Sequence, residues 1–362
     1  MSNRVYNFNP GPSTLPLEVL KKAQNEFLDF QGTGMSIMEI SHRSPEYDAV
    51  HNRAIASAKA LMGLDDSYKI LFVGGGASTQ FAHIPLNFLE KEQTAAYVDT
   101  GTWSTKAIKE AGLFGNVHLA GSSKADEYIF IPKAEELDIP VAAAYLHITT
   151  NNTIKGTQYY YIPETGDVPL IADMSSDILS KQLDFSKFSM IYAGAQKNLG
   201  PSGVTMIVIK DSMLDRIKDG VPTMFDYRTQ ASKNSLFNTP PVFPIYIVNL
   251  VLDWIIEQGG LEAIENVNQK KKDTVYNLID LYPDFFRGTV KKESRSWMNV
   301  TLRLPSEELE QKMIVEGKAA GFIGLKGHRS VGGIRVSIYN SMTLEGAEKV
   351  ADFMKHFMDQ NS

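Results

Sequence analysis

Several side chains in this sequence have types and surroundings that could do chemistry together. Lys197 stands in YAGAQKNLGPSG, between residues with almost no side chain. A lysine acts as nucleophile or base only after losing its proton, and burial favours the neutral form. Gly194, Ala195 and Gly200 would let a flat ligand lie close to it. Taken alone, Lys197 also reads as an exposed hairpin lysine. Asp173 ends the apolar run PLIAD, at the kind of strand end where ligands of open α/β sheets gather. An acid there can hold a cationic ring nitrogen, or merely cap a helix or form an ion pair.

The stretch GGGASTQ, residues 74–80, follows one apolar run and opens a helix. Glycines admit a ligand to the backbone, and free N–H groups at a helix start suit a phosphate. The stretch is neither GxGxxG nor a P-loop, so a plain β–α turn stays open beside phosphate binding. Trp103, in DTGTWST, is a core residue or a stacking surface. His42 and Arg43 in SHR, Lys326, His328 and Arg329 in KGHR, and Arg335 in GGIRVS are cations beside turns and glycines. Arginine forks match carboxylate and phosphate, although a single arginine is usually a surface ion pair. Together, a phosphate cradle, a ring-nitrogen acid, a stacking tryptophan and a masked lysine describe a site for pyridoxal 5′-phosphate.

Periodicity predicts the elements that must position these residues. Residues 1–15 read as an extended arm, followed by a helix from Pro16 to about Phe30 with Glu18 in its first turn. Strands are predicted over 70–73, 94–98, 141–147, 169–172, 190–192 and 204–209, with helices starting near Ser78 and Trp103. This alternation implies an α/β fold, a mainly parallel central sheet with helices on both faces. The short Gly-Pro turn after Lys197 makes the last strand antiparallel. Helices over 245–257, 261–281 and 306–320 and after Thr343, with strands over 298–304 and 334–338, imply a smaller α+β domain. The expected division is an arm (1–15), a large domain (16–258) and a small C-terminal domain (259–362).

The 362 residues are enough to exclude water from a site. A net charge of −6, from 36 basic and 42 acidic residues, argues against a nucleic-acid binder. Against that balance, arginine and histidine gathered in glycine-flanked turns point to a small anion. The absence of cysteine excludes disulfides, thiolate metal sites and cysteine nucleophiles. The seven histidines form no HExxH or HxH, so no histidine metal site is expected. MSNRVYNFNPGPS lacks the apolar core of a signal peptide, and the apolar tract 243–256 is too short to span a bilayer and carries Asn249 and Asp253. A soluble cytoplasmic protein is expected.

GGGASTQF, DTGTWS, HITTNNTIKGTQY, ADMSSDILS, YAGAQKNLGPSG, SLFNTPP and LKGHRSVGGIRVSIYN together resemble the phosphoserine aminotransferases, in the class V branch of fold-type I pyridoxal-phosphate enzymes. The likeness runs from FNPGPSTLP almost to the C-terminus. The resemblance implies transfer of an amino group from glutamate to 3-phosphohydroxypyruvate, yielding O-phosphoserine and 2-oxoglutarate, in serine biosynthesis. It implies that Lys197 is the Schiff-base lysine, Asp173 the partner of the ring nitrogen, Trp103 the stacking residue and Thr153 a cofactor contact near the ring hydroxyl. Ala77, Ser78 and Gln196 match phosphate-binding positions. Asn238 and Thr239 match residues reaching the phosphate of a neighbouring subunit, which implies a homodimer with shared sites.

In the same resemblance, Arg43 and Arg335 match substrate-carboxylate contacts. His42, His328 and Arg329 match binders of the distal anion, some supplied by the partner, with His328 and Arg329 expected to favour phosphate. Two positions depart from some relatives: Ala77-Ser78 replaces Gly-Arg, and Pro10 replaces a serine near the substrate. Rival readings are another class V aminotransferase, alanine–glyoxylate or serine–pyruvate, and a binding protein that holds a phosphorylated ligand without chemistry. The missing cysteine removes the usual desulfurase mechanism.

Overall fold

The structure is a computed structural model that describes residues 4–362. After the arm, α1 (Leu17–Asn25) and α2 (Pro45–Met62) lead into the sheet. α1 is shorter than the periodicity predicts. Asp29 turns its carboxylate to accept from the Gly34 backbone N–H at 2.7 Å, and the chain enters a 3-10 turn at Phe30. α2 is capped by Ser44, carries Pro45 at its first turn and stops at Gly63 in the left-handed conformation, three signals that agree.

The central sheet comprises β1 (Tyr68–Val73), β2 (Thr94–Asp99), β3 (Asn116–Ser122), β4 (Leu146–Thr149), β5 (Leu170–Asp173), β6 (Met190–Gly194) and β7 (Thr205–Lys210). Their order across the sheet is β1-β7-β6-β5-β4-β2-β3. β7 runs antiparallel to both β1 and β6, and the other neighbouring pairs are parallel. The expected mainly parallel sheet with one antiparallel strand is therefore present. β3 escapes the sequence reading because it is an edge strand whose residues are mostly part-exposed and lack an apolar run. β4 starts later than predicted: Val141 is 92% exposed, and the chain turns after Pro140 before pairing begins.

Alternating strand residues feed two layers, as a pleated sheet covered on both faces requires. Ile70, Phe72, Val98 and Leu146 face α2 and α5 (Val242–Glu257), whereas Leu71, Tyr97, Tyr145, Ile171 and Tyr192 pack with α3 (Gly76–Phe88) and α4 (Thr102–Ala111). The apolar tract 243–256 is the buried α5, which meets α6 (Gly260–Leu281) at 85°. Among the described residues, no single helix is long and apolar enough to cross a membrane.

A second core unites α6, α7 (Glu307–Ala319), α8 (Leu344–Asn361) and the small sheet β8 (Arg287–Gly288), β9 (Asn299–Arg303), β10 (Ile334–Ser337), ordered β8-β9-β10. Ser306 and Thr343 cap α7 and α8, each accepting from a backbone N–H three residues on. The N-terminal arm joins this core. Tyr6–Asn7 pairs in parallel with Phe322–Ile323, and Phe8 is buried among the C-terminal residues.

Candidate active site

The parallel strands deliver their C-terminal ends to one edge. β5 ends at Asp173, in register with Thr149 of β4 and Tyr192 of β6. Asp173 is buried and accepts from the Ser175 backbone N–H at 2.9 Å. Burial pushes its carboxyl above the ordinary range, opposed by Lys197, Ser175 and Tyr192. Ser175 also accepts from the Gly194 N–H at 3.1 Å, tying the end of β5 to the end of β6.

Beyond Gly194 the β6–β7 connection carries Lys197, whose Nζ donates to Thr153 Oγ1 at 2.7 Å. Burial lowers the Lys197 amine to about 8; Arg335 acts in the same direction, and Asp173 and Asp177 oppose both. The lysine therefore releases its proton far more readily than a solvated one, and it does so between an acid and an arginine. Its Nζ lies 5.7 Å from the centre of the Trp103 ring, at the start of α4. Arg335, buried on β10, donates to the Thr153 carbonyl at 3.2 Å. Lys197, Asp173, Trp103, Thr153 and Arg335 thus converge from separate elements.

The glycine turn lies beside them. Gly75, the residue before α3, has φ +98, and a Cβ there would meet Thr79 Oγ1 at 2.2 Å. A Cβ on Gly194 would meet the Gln196 amide oxygen at 2.8 Å and stand 3.4 Å from the Ala77 N–H, so Gln196 and the first turn of α3 share one small space. Ala77 is half-buried there and Ser78 exposed. The Ala77 N–H in the opening turn of a long helix, a nearby side-chain amide and room for no Cβ suit a phosphate. Trp103 Nε1 and Arg335 Nε are buried without a hydrogen-bond partner among the described residues. Orphaned donors beside a desolvated lysine and a buried acid fit a planar, anionic ligand better than a packed core.

The remaining predicted residues are more scattered. His328 lines a cavity together with Arg335, and its imidazole is lowered by burial and by Arg335, Arg329 and Lys106. Arg329 is exposed beside it. His42 and Arg43 lie just before α2, with Arg43 Nε donating to His42 Nε2 at 3.3 Å. Among the described residues, no hydrogen bond or ion pair joins them to Lys197, Asp173 or Arg335. Asn238 and Thr239 are exposed, and Asn238 lines a cavity that also reaches Gly74 and Thr79. Pro10 accepts from the Tyr339 hydroxyl at 2.6 Å, and Ser13 donates to the Lys197 carbonyl at 2.5 Å, so the arm lies along the lysine loop.

A profile of the class-V aminotransferases matches residues 5–350. A phosphoserine aminotransferase of Niallia circulans is 55% identical over 357 residues, covering 99% of each chain. The chain belongs to the class-V aminotransferases, in the phosphoserine aminotransferase family. The solved phosphoserine aminotransferase of Bacillus circulans subsp. alkalophilus superposes with a TM-score of 0.98 at 54% identity, covering 100% of both chains. A pyridoxal-phosphate-bound phosphoserine aminotransferase of Trichomonas vaginalis superposes with a TM-score of 0.92 at 36% identity, covering 97% of this chain and 100% of that one. Membership in this family makes the protein a pyridoxal-phosphate-dependent transaminase of PLP fold type I.

Two residues of the site escape the sequence reading. Asp177 is enclosed by Thr150, whose hydroxyl donates to it at 2.5 Å, and by Gln158 at 3.1 Å; burial pushes it up to about 6. Its partners come from a different part of the chain, so local sequence carries no signal. Lys106 holds its ammonium 4.5 Å from the Trp103 ring centre. Its spacing, one helical turn after the tryptophan, was a usable signal.

Proposed function

We propose that this chain transfers the amino group of L-glutamate to 3-phosphohydroxypyruvate, forming O-phospho-L-serine and 2-oxoglutarate in serine biosynthesis. The observation that carries the reading is the Lys197 amine held between Asp173, Thr153 and Arg335 beneath Trp103, in a chain at 55% identity to a phosphoserine aminotransferase. Bound pyridoxal phosphate supplies an aldehyde that accepts the amino group and a ring that draws electrons from the substrate's Cα.

The chain's own residues do the rest. Lys197 would hold the cofactor's aldehyde, and its Nζ is the base placed to take the substrate's Cα proton. Its lowered pKa suits a base near neutral pH. Asp173 keeps the ring nitrogen protonated, because a buried carboxylate is stabilised by an opposite charge against it. Trp103 stacks on the ring, and Thr153 contacts the ring hydroxyl. Ala77, Ser78 and Gln196 hold the phosphate. Ser78 replaces an arginine found in some relatives, so donors rather than a guanidinium carry that role.

Arg335 binds the α-carboxylate, and the buried arginine excludes water from that contact. Arg43 contributes a second carboxylate contact. His42, His328 and Arg329 take the distal group, which alternates between a γ-carboxylate and a phosphate; both are anions, so one cationic lining serves both half-reactions. Asn238 and Thr239, exposed in one chain, reach the phosphate of a partner copy, and some of His42, His328 and Arg329 act across the same interface. The protein is therefore a homodimer. A division into an arm (1–15), a large domain (16–258) and a small domain (259–362), and a cytoplasmic location, complete the reading.

The test is a coupled assay with phosphoserine and 2-oxoglutarate, run beside alanine and glyoxylate. Turnover of the first pair well above the second is expected. Preference for alanine and glyoxylate overturns the substrate assignment, and a protein that never binds the aldehyde overturns the enzyme reading.

A further inference from the structure

A cavity of about 720 Å³ lies between residues 124–129, Lys155 and the edge of the small sheet, and buried Arg335 forms part of its wall. Its other cations are Lys124, Lys155, Arg287 and Arg303, with His328 beside them, against Glu127 alone among its acidic lining residues. Arg287 and Arg303 stand directly opposite each other on β8 and β9, a like-charge pairing that costs stability. Glu310 and Glu307 offset Arg303 at 2.5 Å and 3.6 Å. Lys124, Lys155 and Arg287 have no ion-pair partner among the described residues.

The walls are held in place. The Lys155 carbonyl accepts from Thr301 Oγ1 at 2.9 Å, and its ammonium lies 5.6 Å from the Tyr128 ring centre. Glu127 and Tyr128 both adopt left-handed backbone, with φ 56 and φ 64. Neighbouring non-glycine residues hold that conformation only where their surroundings compensate the cost. Tyr128 is anchored by its hydroxyl, which donates to Asp99 Oδ2 at 3.1 Å, at the end of the strand leading to Trp103. Unpaired cations on a fixed frame, in a chain of net charge −6, are not a consequence of overall composition.

We propose that this basin captures the phosphate dianion of the phosphorylated 2-oxo acid and guides that substrate toward Arg335. The inference rests on the substrate assignment above and adds Lys155, Arg287 and Lys124 as determinants of its encounter. A phosphorylated 2-oxo acid carries a charge of about −3 near neutral pH, because its phosphate contributes nearly two charges. Glutamate carries a net charge of only about −1, with its two carboxylates and its ammonium ionised. The same unpaired cations therefore act far more strongly on the phosphorylated substrate. Steering of this kind accelerates association by about tenfold or more and fades as salt shortens the screening length.

The test uses the holoenzyme, wild type and Lys155→Gln/Arg287→Gln, across a range of sodium chloride. At low salt, kcat/KM for the phosphorylated 2-oxo acid is expected to fall about tenfold in the double variant, against about twofold for glutamate. The decline of kcat/KM with salt should flatten, and Lys155→Arg should restore it. Cofactor absorbance and thermal melting check that the variant folds; if the pair misfolds, Lys155→Gln alone should show part of the effect. An unchanged salt dependence, or equal losses for both substrates, overturns the proposal. Inorganic phosphate, matched to chloride in ionic strength, should compete with the phosphorylated substrate in the wild type and less in the variant. Non-competitive inhibition indicates a separate effector site and also overturns it. A wild type that ignores the phosphorylated 2-oxo acid instead sinks the substrate assignment itself.

Discussion

Lys197 Nζ donates to Thr153 Oγ1 across 2.7 Å, and burial lowers that amine to about 8. Below this pH the ammonium dominates and cannot attack an aldehyde. Capture of pyridoxal phosphate by the cofactor-free protein, followed by absorbance, is expected to accelerate as pH rises through about 8. The unfolded chain keeps the proton up to the ordinary value of 10.5, so between these values it binds more protons and this group's contribution to stability rises with pH. A capture rate flat across that window would contradict the assignment. Lys197→Ala should abolish both capture and transamination.

Asp173→Asn keeps the shape of the buried carboxyl but removes its charge. The ring nitrogen then loses the partner that keeps it protonated, and kcat is expected to drop by roughly a hundredfold or more. Cofactor content measured after dialysis separates weakened binding from impaired chemistry. A kcat within a few-fold of wild type removes Asp173 from its role.

Trp103→Ala removes the stacking surface, and aromatic contacts of this kind contribute about 1 kcal/mol beyond the area they bury. Cofactor affinity, read from titration of the cofactor-free protein, should weaken about fivefold or more, with Trp103→Phe recovering part of it. Equal affinity for all three proteins would place the ring elsewhere.

Arg335→Gln should raise KM for both glutamate and the phosphorylated 2-oxo acid, since both carry the α-carboxylate. A charge-assisted hydrogen bond of about 1.5–3 kcal/mol corresponds to roughly a 10- to 150-fold change. Arg329→Ala should instead weaken the phosphorylated substrate more than glutamate. Equal weakening would mean that Arg329 does not select the distal group.

Asn340, just after β10, connects that strand to the lysine loop. Its N–H donates to Asn198 Oδ1 at 3.0 Å, its side chain donates to the Leu179 carbonyl at 2.9 Å, and it accepts from Asn268 at 2.8 Å. Asn340→Ala leaves buried groups unpaired beside Lys197 and is expected to destabilise the fold by about 2–4 kcal/mol in urea unfolding. A loss under about 0.5 kcal/mol would show that the network is dispensable.

Where local chemistry governs, structure could be read directly from the chain. α7 announces itself through Ser306 and α8 through Thr343, whereas α2 went unpredicted although Ser44 and Pro45 mark its start. Apolar runs mark β1, β5, β6 and β7 because strands covered on both faces must be apolar. The edge strand β3 lacks such a run and stayed hidden, and β4 was drawn too early because Val141 lies in an exposed turn after Pro140. α1 stopped short because Asp29 offers its carboxylate to Gly34, a local hydrogen bond that competes with helix.

The sequence by itself determined which groups are reactive and roughly where strands end: Lys197 among small residues, Asp173 at a strand terminus, Trp103 at a helix start, and a chain without thiols. Only the tertiary structure decided that these groups meet. Thr153 and Arg335 are 182 positions apart yet share a hydrogen bond, and Asp177 finds its partners across the sheet. Only enclosure sets the charge state of Lys197, because desolvation depends on every atom packed around a group and not on its neighbours in sequence.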